Sequence, residues 1–350
     1  MNILYFEPNY VANANQSYTY YSSLLNAISK KSNLQVINGV GFTANIEDII
    51  NRCPGGRPDL ICFGFGWMNI WKGGAHYRET ILKGLENTKV PKAIILNKEY
   101  GGSLPSKLGW IKENNFDVAF TYHHDYEMFT KSTGVKFHHL PFAADPKMFK
   151  DYEIKPEYDV GFTGGLGHTF TNGWEKTSKF GEVNAIKPDG QGWSHTLRKQ
   201  IHDAHGEWSD INFYFSNHHH DSIDDYAKRL NTAKQWLSTT GPVDIVGTRY
   251  FEVPLTNTTM LLCNRSTKMW CFDEDCNRKD RDVDVYDGLF KEDEHYVAFD
   301  SPGELIEKIR YYKDNEEERM KIVNNAYQNA IENHTWDNRA EKFIKAVEGL

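Results

Sequence analysis

Residues 158–167 read Tyr158-Asp159-Val160-Gly161-Phe162-Thr163-Gly164-Gly165-Leu166-Gly167. An apolar strand runs directly into a cluster of glycines. Strands of the same kind lie on both sides of it. Upstream are Asn2–Phe6, Leu34–Ile37, Pro58–Phe65, Ala93–Leu96, Asp117–Thr121 and Phe137–Pro141; downstream are Ile211–Phe215 and Met260–Cys263. Pro58–Phe65 is apolar without alternation, as a strand covered on both faces must be. Helical stretches of 10 to 15 residues separate such strands, a pattern that predicts parallel sheets with crossover helices. Near residue 150 the alternation is broken by the polar segment 145–157, which carries Pro146 and Pro156 and reads as a linker. It then restarts at Tyr158. The chain therefore reads as two α/β units in tandem, an expectation that the 350-residue length also favours.

The last fifty residues are helical. Ser301-Pro302-Gly303-Glu304 has the form of a capping box. Leu305, Ile309 and Tyr312 then fall on one face, a second helix spans about 316–331, and Thr335 precedes a helix with Ala340, Phe343, Ile344 and Val347 on one side. That i, i+3, i+4, i+7 stripe needs a surface to cover.

Composition narrows the function. Hydrophobic residues make up 39% and charged residues 25%, enough apolar material for folded cores. There is no apolar run of 18 residues, so no membrane span is expected, and MNILYFEPNY lacks the basic start and apolar stretch of a secretory signal. A net charge of -8 argues against a broad basic face for nucleic acid, though a local basic groove stays open. Five cysteines without CxxC spacing predict neither a disulfide framework nor a zinc site and suit a reducing compartment; Cys271 and Cys276 lack a second ligand pair. His218-His219-His220 reads as a solvated loop, since three consecutive imidazoles cannot all face one ion.

Three places could carry chemistry. Gly164 and Gly165 would let backbone N–H groups approach a phosphate, or simply make a tight turn. Asp244-Ile245-Val246-Gly247-Thr248-Arg249-Tyr250-Phe251-Glu252 spaces two carboxylates around a glycine and an arginine. With a helix starting at Gly247-Thr248, the carboxylates could accept sugar hydroxyls and Arg249 could neutralise a phosphate; a solvated Arg/Glu pair at a helix start is the plainer reading. Asn97-Lys98-Glu99-Tyr100 follows a buried strand, where open α/β sheets bind ligands, and a carboxylate there can serve as general base or be merely a solvated loop glutamate. His76, after Gly73-Gly74, is a further loop residue, and Arg198 falls on a helix start within reach of a diphosphate.

From GTRYFEVPLTNTTMLLCN to the last helix the sequence resembles the donor-binding half of GT-B nucleotide-sugar glycosyltransferases. It looks most like the spore-maturation-protein-like branch of the group 1 transferases. The motifs are DVGFTGGLG, the helix arginine Arg198, the G-x-R-x-F-E segment of Gly247, Arg249, Phe251 and Glu252, the capped SPGEL helix and the closing His334-Thr335. VPKAIILNKEY, FDVAFTYHHD and LPFAADPKMF extend the likeness into the first half, while residues 168–192 look like an insertion. The resemblance implies an α/β fold of two Rossmann-like domains facing a central cleft. Residues 1–152 would form the acceptor domain, 153–333 the donor domain, and 334–350 a helix crossing back to the first.

It also implies roles. Glu252 would accept hydrogen bonds from the donor ribose. Arg249 and Arg198 would face the diphosphate above Gly164 and Gly165, with Gly247 and Thr248 beside them. Asp244 stands where retaining members carry the first glutamate of an E-x7-E pair. Glu99 stands where phage DNA glucosyltransferases of this fold place an aspartate base. The acceptor would lie near 9–15, 67–76 and Glu99, with His76 as lining or second catalytic group.

The expected protein is a cytoplasmic transferase of a bacterium or virus-infected host, monomeric or homodimeric. It would take a UDP-sugar ahead of a GDP-sugar, with no tightly bound cofactor and no required metal, although Mg is compatible. Its acceptor would be a glycan, protein or small molecule, with DNA ranked last. A sugar-nucleotide epimerase of the same fold and a non-catalytic nucleotide-sugar binder are the alternatives.

Overall fold

The computed structural model describes residues 1–8, 19–68, 80–97, 104–164, 196–216, 222–240, 245–266, 268–272 and 278–350. The chain divides into two compact units. The first comprises Met1–Pro141, Cys271–Lys279 and Trp336–Leu350, the second Phe142–Trp270 and Asp280–Thr335.

The strands are β1 Asn2–Phe6, β2 Asn33–Ile37, β3 Thr43–Asn45, β4 Leu60–Phe63, β5 Ile81–Lys83, β6 Lys92–Ile95, β7 Val118–Thr121, β8 Lys136–His139, β9 Tyr158–Thr163, β10 Phe213–Ser216, β11 Ala233–Ser238, β12 Met260–Asn264, β13 Lys268–Phe272, β14 Arg278–Asp282 and β15 Val297–Phe299. The helices are α1 Thr19–Ser29, α2 Ile46–Asn51, α3 Leu104–Glu113, α4 Tyr126–Thr133, α5 Thr196–Ala204, α6 Ile223–Leu230, α7 Arg249–Leu255, α8 Pro302–Asp314, α9 Glu316–Asn333 and α10 Trp336–Val347.

In the first unit six strands form a sheet in the order β2-β1-β4-β6-β7-β8, every pair parallel. The short strands β3 and β5 make a separate parallel ladder. All four residues of β4, of β6 and of β7 are buried, as strands covered on both faces must be. The rings of Phe6, Phe63 and Trp67 form an aromatic cluster: Phe6 stacks on Phe63 at 4.7 Å and Trp67 tilts against Phe63 at 4.9 Å.

The last helix belongs to this unit. Its expected stripe of Ala340, Phe343, Ile344 and Val347 is buried. Phe343 meets Phe120 of β7 at 5.0 Å, and Lys30 at the end of α1 reaches Asp337 at 2.6 Å. The fully buried Arg339 donates Nε–H to the Pro141 carbonyl at 2.8 Å.

The second unit has a parallel five-stranded sheet, β10-β9-β11-β12-β15. Leu305, Ile309 and Tyr312 of α8 pack with Val160, Phe162, Leu262 and Phe299 in its core. Ser301 caps α8 by accepting from the Glu304 N–H at 3.2 Å. The strand β11 has no counterpart in the sequence reading, because Lys234 and Gln235 interrupt its apolar run. Gln235 is nonetheless fully buried, and its side-chain amide donates to the Ile309 carbonyl at 3.0 Å. A polar side chain can lie in a core when a backbone acceptor takes up its donor. Gly161 in β9 faces the Trp236 ring, which occupies the place of a Cβ. That glycine is required by packing.

Candidate active site

In a parallel sheet, successive strands all end at one edge, and ligands bind beyond their carboxyl ends. At that edge of the second unit lie Gly164 after β9, Thr239 after β11 and Asn264 at the end of β12. Gly164 has φ +143°, a conformation that side-chain-bearing residues rarely adopt, and its N–H donates to the Ser216 carbonyl at 3.0 Å.

Two cations converge on Gly164. A Cβ built there would stand 3.5 Å from Arg198 Nη1 and 3.6 Å from Arg249 Nη1. Arg198 comes from the first turn of α5. It donates from Nε to the Thr239 hydroxyl and from Nη2 to the Thr239 carbonyl, the latter at 3.2 Å, and its guanidinium lies over the Phe162 ring at 5.5 Å. Burial and the neighbouring Arg249 guanidinium both act against its charge and hold it below the usual arginine range. Two like charges held together in a partly desolvated place are stabilised when an anion joins them.

Arg249 opens α7, and Glu252 lies one turn on. Tyr226, from α6, joins the two. Its hydroxyl accepts from Arg249 Nε at 3.1 Å and donates to Glu252 Oε2 at 2.8 Å. Glu252 is only 5% exposed. Burial raises its carboxyl above the ordinary glutamate range, against the opposing pull of Arg249 and of hydrogen bonds from Tyr226 and Thr248. Burial also acts against the Arg249 charge, but Tyr226 and Glu252 together hold that guanidinium above its usual value.

The segment before Arg249 is held by turns: the Gly247 carbonyl accepts from Tyr250 N–H at 3.3 Å and the Thr248 carbonyl from Phe251 N–H at 2.9 Å. Behind it, Tyr250 is buried and its hydroxyl donates to the Ser238 carbonyl at 3.3 Å, while Tyr286 donates to the Asn264 carbonyl at 2.7 Å. The Tyr250 and Tyr286 hydroxyls also meet at 3.1 Å, so α7 is tied to the end of β11 directly and to the end of β12 through Tyr286.

Of the residues singled out in the sequence, Gly164, Arg198, Gly247, Thr248, Arg249 and Glu252 thus lie in one neighbourhood. Gly165, Asp244, His76 and Glu99 lie outside the described residues. Sequence reading missed Tyr226 and Thr239. Thr239 follows the unrecognised β11, and Tyr226 sits on a polar helix whose only local signal is its Ser222 cap. Elsewhere, a cavity of about 340 Å³ opens in the first unit between Asn2, Asn33, Gln35 and Cys53. It lies at the amino ends of β1 and β2, the wrong end for a ligand site in a parallel sheet, and no charged side chain lines it. Among the described residues no cluster of three or more His, Cys, Asp or Glu could hold a metal ion, and no helix is long and apolar enough to cross a membrane.

Residues 190–345 match the family described as glycosyl transferase-like. No curated protein matches the sequence. Sucrose-phosphate synthase from Thermosynechococcus elongatus superimposes with a TM-score of 0.61 at 10% identity, covering 100% of this chain and 98% of that one. The E. coli trehalose-6-phosphate protein bound with UDP-2-fluoro glucose gives 0.57 at 8% identity, covering 100% and 99%. HepE of Anabaena in complex with UDP-glucose gives 0.55 at 9%, covering 100% of both chains.

The fold is that of the GT-B glycosyltransferases over the whole chain. The match to the glycosyl transferase-like family falls on residues 190–345, most of the second unit and most of the last helix.

Proposed function

We propose that the protein transfers a glycosyl group from a UDP-sugar to an acceptor hydroxyl or amine, with the donor nucleotide held at the carboxyl edge of the second sheet. The observation that carries this reading is the meeting of Arg198 and Arg249 at Gly164, with the buried Glu252 joined to Arg249 through Tyr226. In the reaction the bond between the sugar C1 and the diphosphate oxygen breaks and a bond from C1 to the acceptor forms. Negative charge grows on the departing diphosphate. Arg198 and Arg249 offer fixed positive charge where it develops, which stabilises the transition state more than the ground state. Glu252 accepts hydrogen bonds from the ribose hydroxyls, and Gly164 leaves room for the phosphates.

Glu99 follows β6, a central strand of the first sheet, and we assign it the acceptor proton. His76 is proposed to line the acceptor, and Asp244 to contact the donor sugar. A donor recognised through ribose and diphosphate makes UDP-linked sugars the first choice, since UDP-sugar complexes recur among proteins of this fold. Acceptors remain glycan, protein, small molecule or DNA.

The test is incubation with a panel of UDP- and GDP-sugars while free nucleotide and sugar products are followed. Slow release of UDP from one donor is the expected result. Interconversion of the donor with its epimer, or tight binding without any product in the presence of varied acceptors, would refute transfer.

A further inference from the structure

We propose that Tyr226 is a positioning residue that aims the Glu252 carboxylate at the two ribose hydroxyls of the donor nucleotide; this rests on the donor-site reading above. A phenol has one proton. An arginine can only donate and a carboxylate can only accept, so the bonds at 3.1 Å to Arg249 Nε and 2.8 Å to Glu252 Oε2 fix the direction of both. The Tyr226 proton points at Glu252 and its lone pair at Arg249. With Oε2 bonded to Tyr226 the carboxylate cannot rotate freely, so the pair of hydroxyls it meets is chosen in advance. The same hydroxyl sets the Arg249 fork, and so couples the ribose contact to the diphosphate contact.

The ring is held from several sides. Phe149 meets it edge-on at 6.0 Å and 79°, and the Arg249 guanidinium lies over it at 6.0 Å. Phe149 itself is 2% exposed and sits in a turn closed on the Asp145 carbonyl. The strap that follows is clamped to α6 by Asn231. The Asn231 side chain accepts from Tyr152 N–H at 3.2 Å and donates to the Lys150 carbonyl at 3.1 Å. Packing of that kind would also suit a tyrosine that merely fills space. What distinguishes the two roles is the hydroxyl, because Tyr226→Phe keeps the ring.

The experiment titrates UDP and 2′,3′-dideoxy-UDP into wild type, Tyr226→Phe and Glu252→Gln by calorimetry between pH 5 and 8, with melting curves as a check on folding. Tyr226→Phe is expected to weaken UDP about 10-fold, the scale of one hydrogen bond to a charged group. It should change dideoxy-UDP far less, and move the acidic fall-off of UDP affinity to higher pH. Replacing Tyr226 by 2,3-difluorotyrosine, a stronger donor of the same shape, should move that fall-off the other way, and keeps the test open if the phenylalanine variant does not fold. Wild-type affinity and fall-off in Tyr226→Phe, with Glu252→Gln still weakened, would overturn the role of Tyr226 and leave the donor site standing. No UDP binding by wild type, or none lost in Glu252→Gln, would overturn the donor site itself and this inference with it.

Discussion

Arg198 and Arg249 aim their Nη1 atoms at the same spot, 3.5 and 3.6 Å from where a side chain on Gly164 would begin. Charge repulsion disfavours that approach in the free protein. The Thr239 acceptors on one side and Tyr226 on the other hold it in place. An anion placed between them would relieve that repulsion.

Removing one of the two cations should therefore discriminate between ligands. Arg198→Ala is expected to weaken UDP by about 1.5–3 kcal/mol, the scale of hydrogen bonds to a charged group, and to leave uridine nearly unchanged. Calorimetry with both ligands checks this. Equal losses for UDP and uridine would place Arg198 away from the phosphates.

Glu252 should give the protein an acid limb. Its carboxyl titrates above the ordinary range in the folded state, so between the unfolded and folded values the native state holds more protons than the unfolded one. Stability then falls as pH rises through that window, and donor affinity rises as the carboxylate forms. Glu252→Gln should flatten both slopes. Chemical denaturation and UDP titration across pH 4 to 8 read them, and a Glu252→Gln protein with wild-type slopes would exclude this carboxylate as their source.

Gly164→Ala tests the close approach. A φ of +143° strains any residue with a Cβ, at about 1–2 kcal/mol of stability. The methyl would also stand against both guanidiniums. We expect a lower melting temperature together with a larger proportional loss of UDP affinity. A variant that loses stability alone would show that the phosphates lie elsewhere.

Phe343→Ala should loosen the last helix. Phe343 is fully buried and packs on Phe120, and truncation of such a ring costs about 3–5 kcal/mol. Urea unfolding measures it. A loss below about 1 kcal/mol would mean that α10 is not part of the first core.

Glu99→Gln bears on the proposed base. If Glu99 takes the acceptor proton, turnover should fall roughly 100-fold or more with donor affinity intact. Near-normal turnover would leave the proton to another group.

The sheet strands were largely legible because their signal is local. In β4 the apolar run is continuous, and in β9 it is broken only by Asp159; both strands appear where the sequence places them. The terminal helices were equally readable, since a cap and a 3.6-residue stripe lie within a few turns of chain. Strand β11 escaped because the acceptor for the buried Gln235 amide is the Ile309 carbonyl, 74 positions away. No local pattern reports such a partner. For the same reason the sequence could offer Arg249 and Glu252 as one group, being neighbours on a single helix, but not Tyr226.

The amino-acid sequence by itself determined the alternation of strands and helices, the glycine after β9 and the Arg249–Glu252 spacing, all of which depend on residues within a few positions of one another. The tertiary structure decided which side chains meet. In the order β10-β9-β11-β12-β15, strands that are neighbours in space are not all consecutive in the chain. Where their carboxyl ends come together, Arg198, Thr239, Tyr226 and Glu252 are assembled from four separate segments, because burying both faces of the sheet brings those segments to one edge.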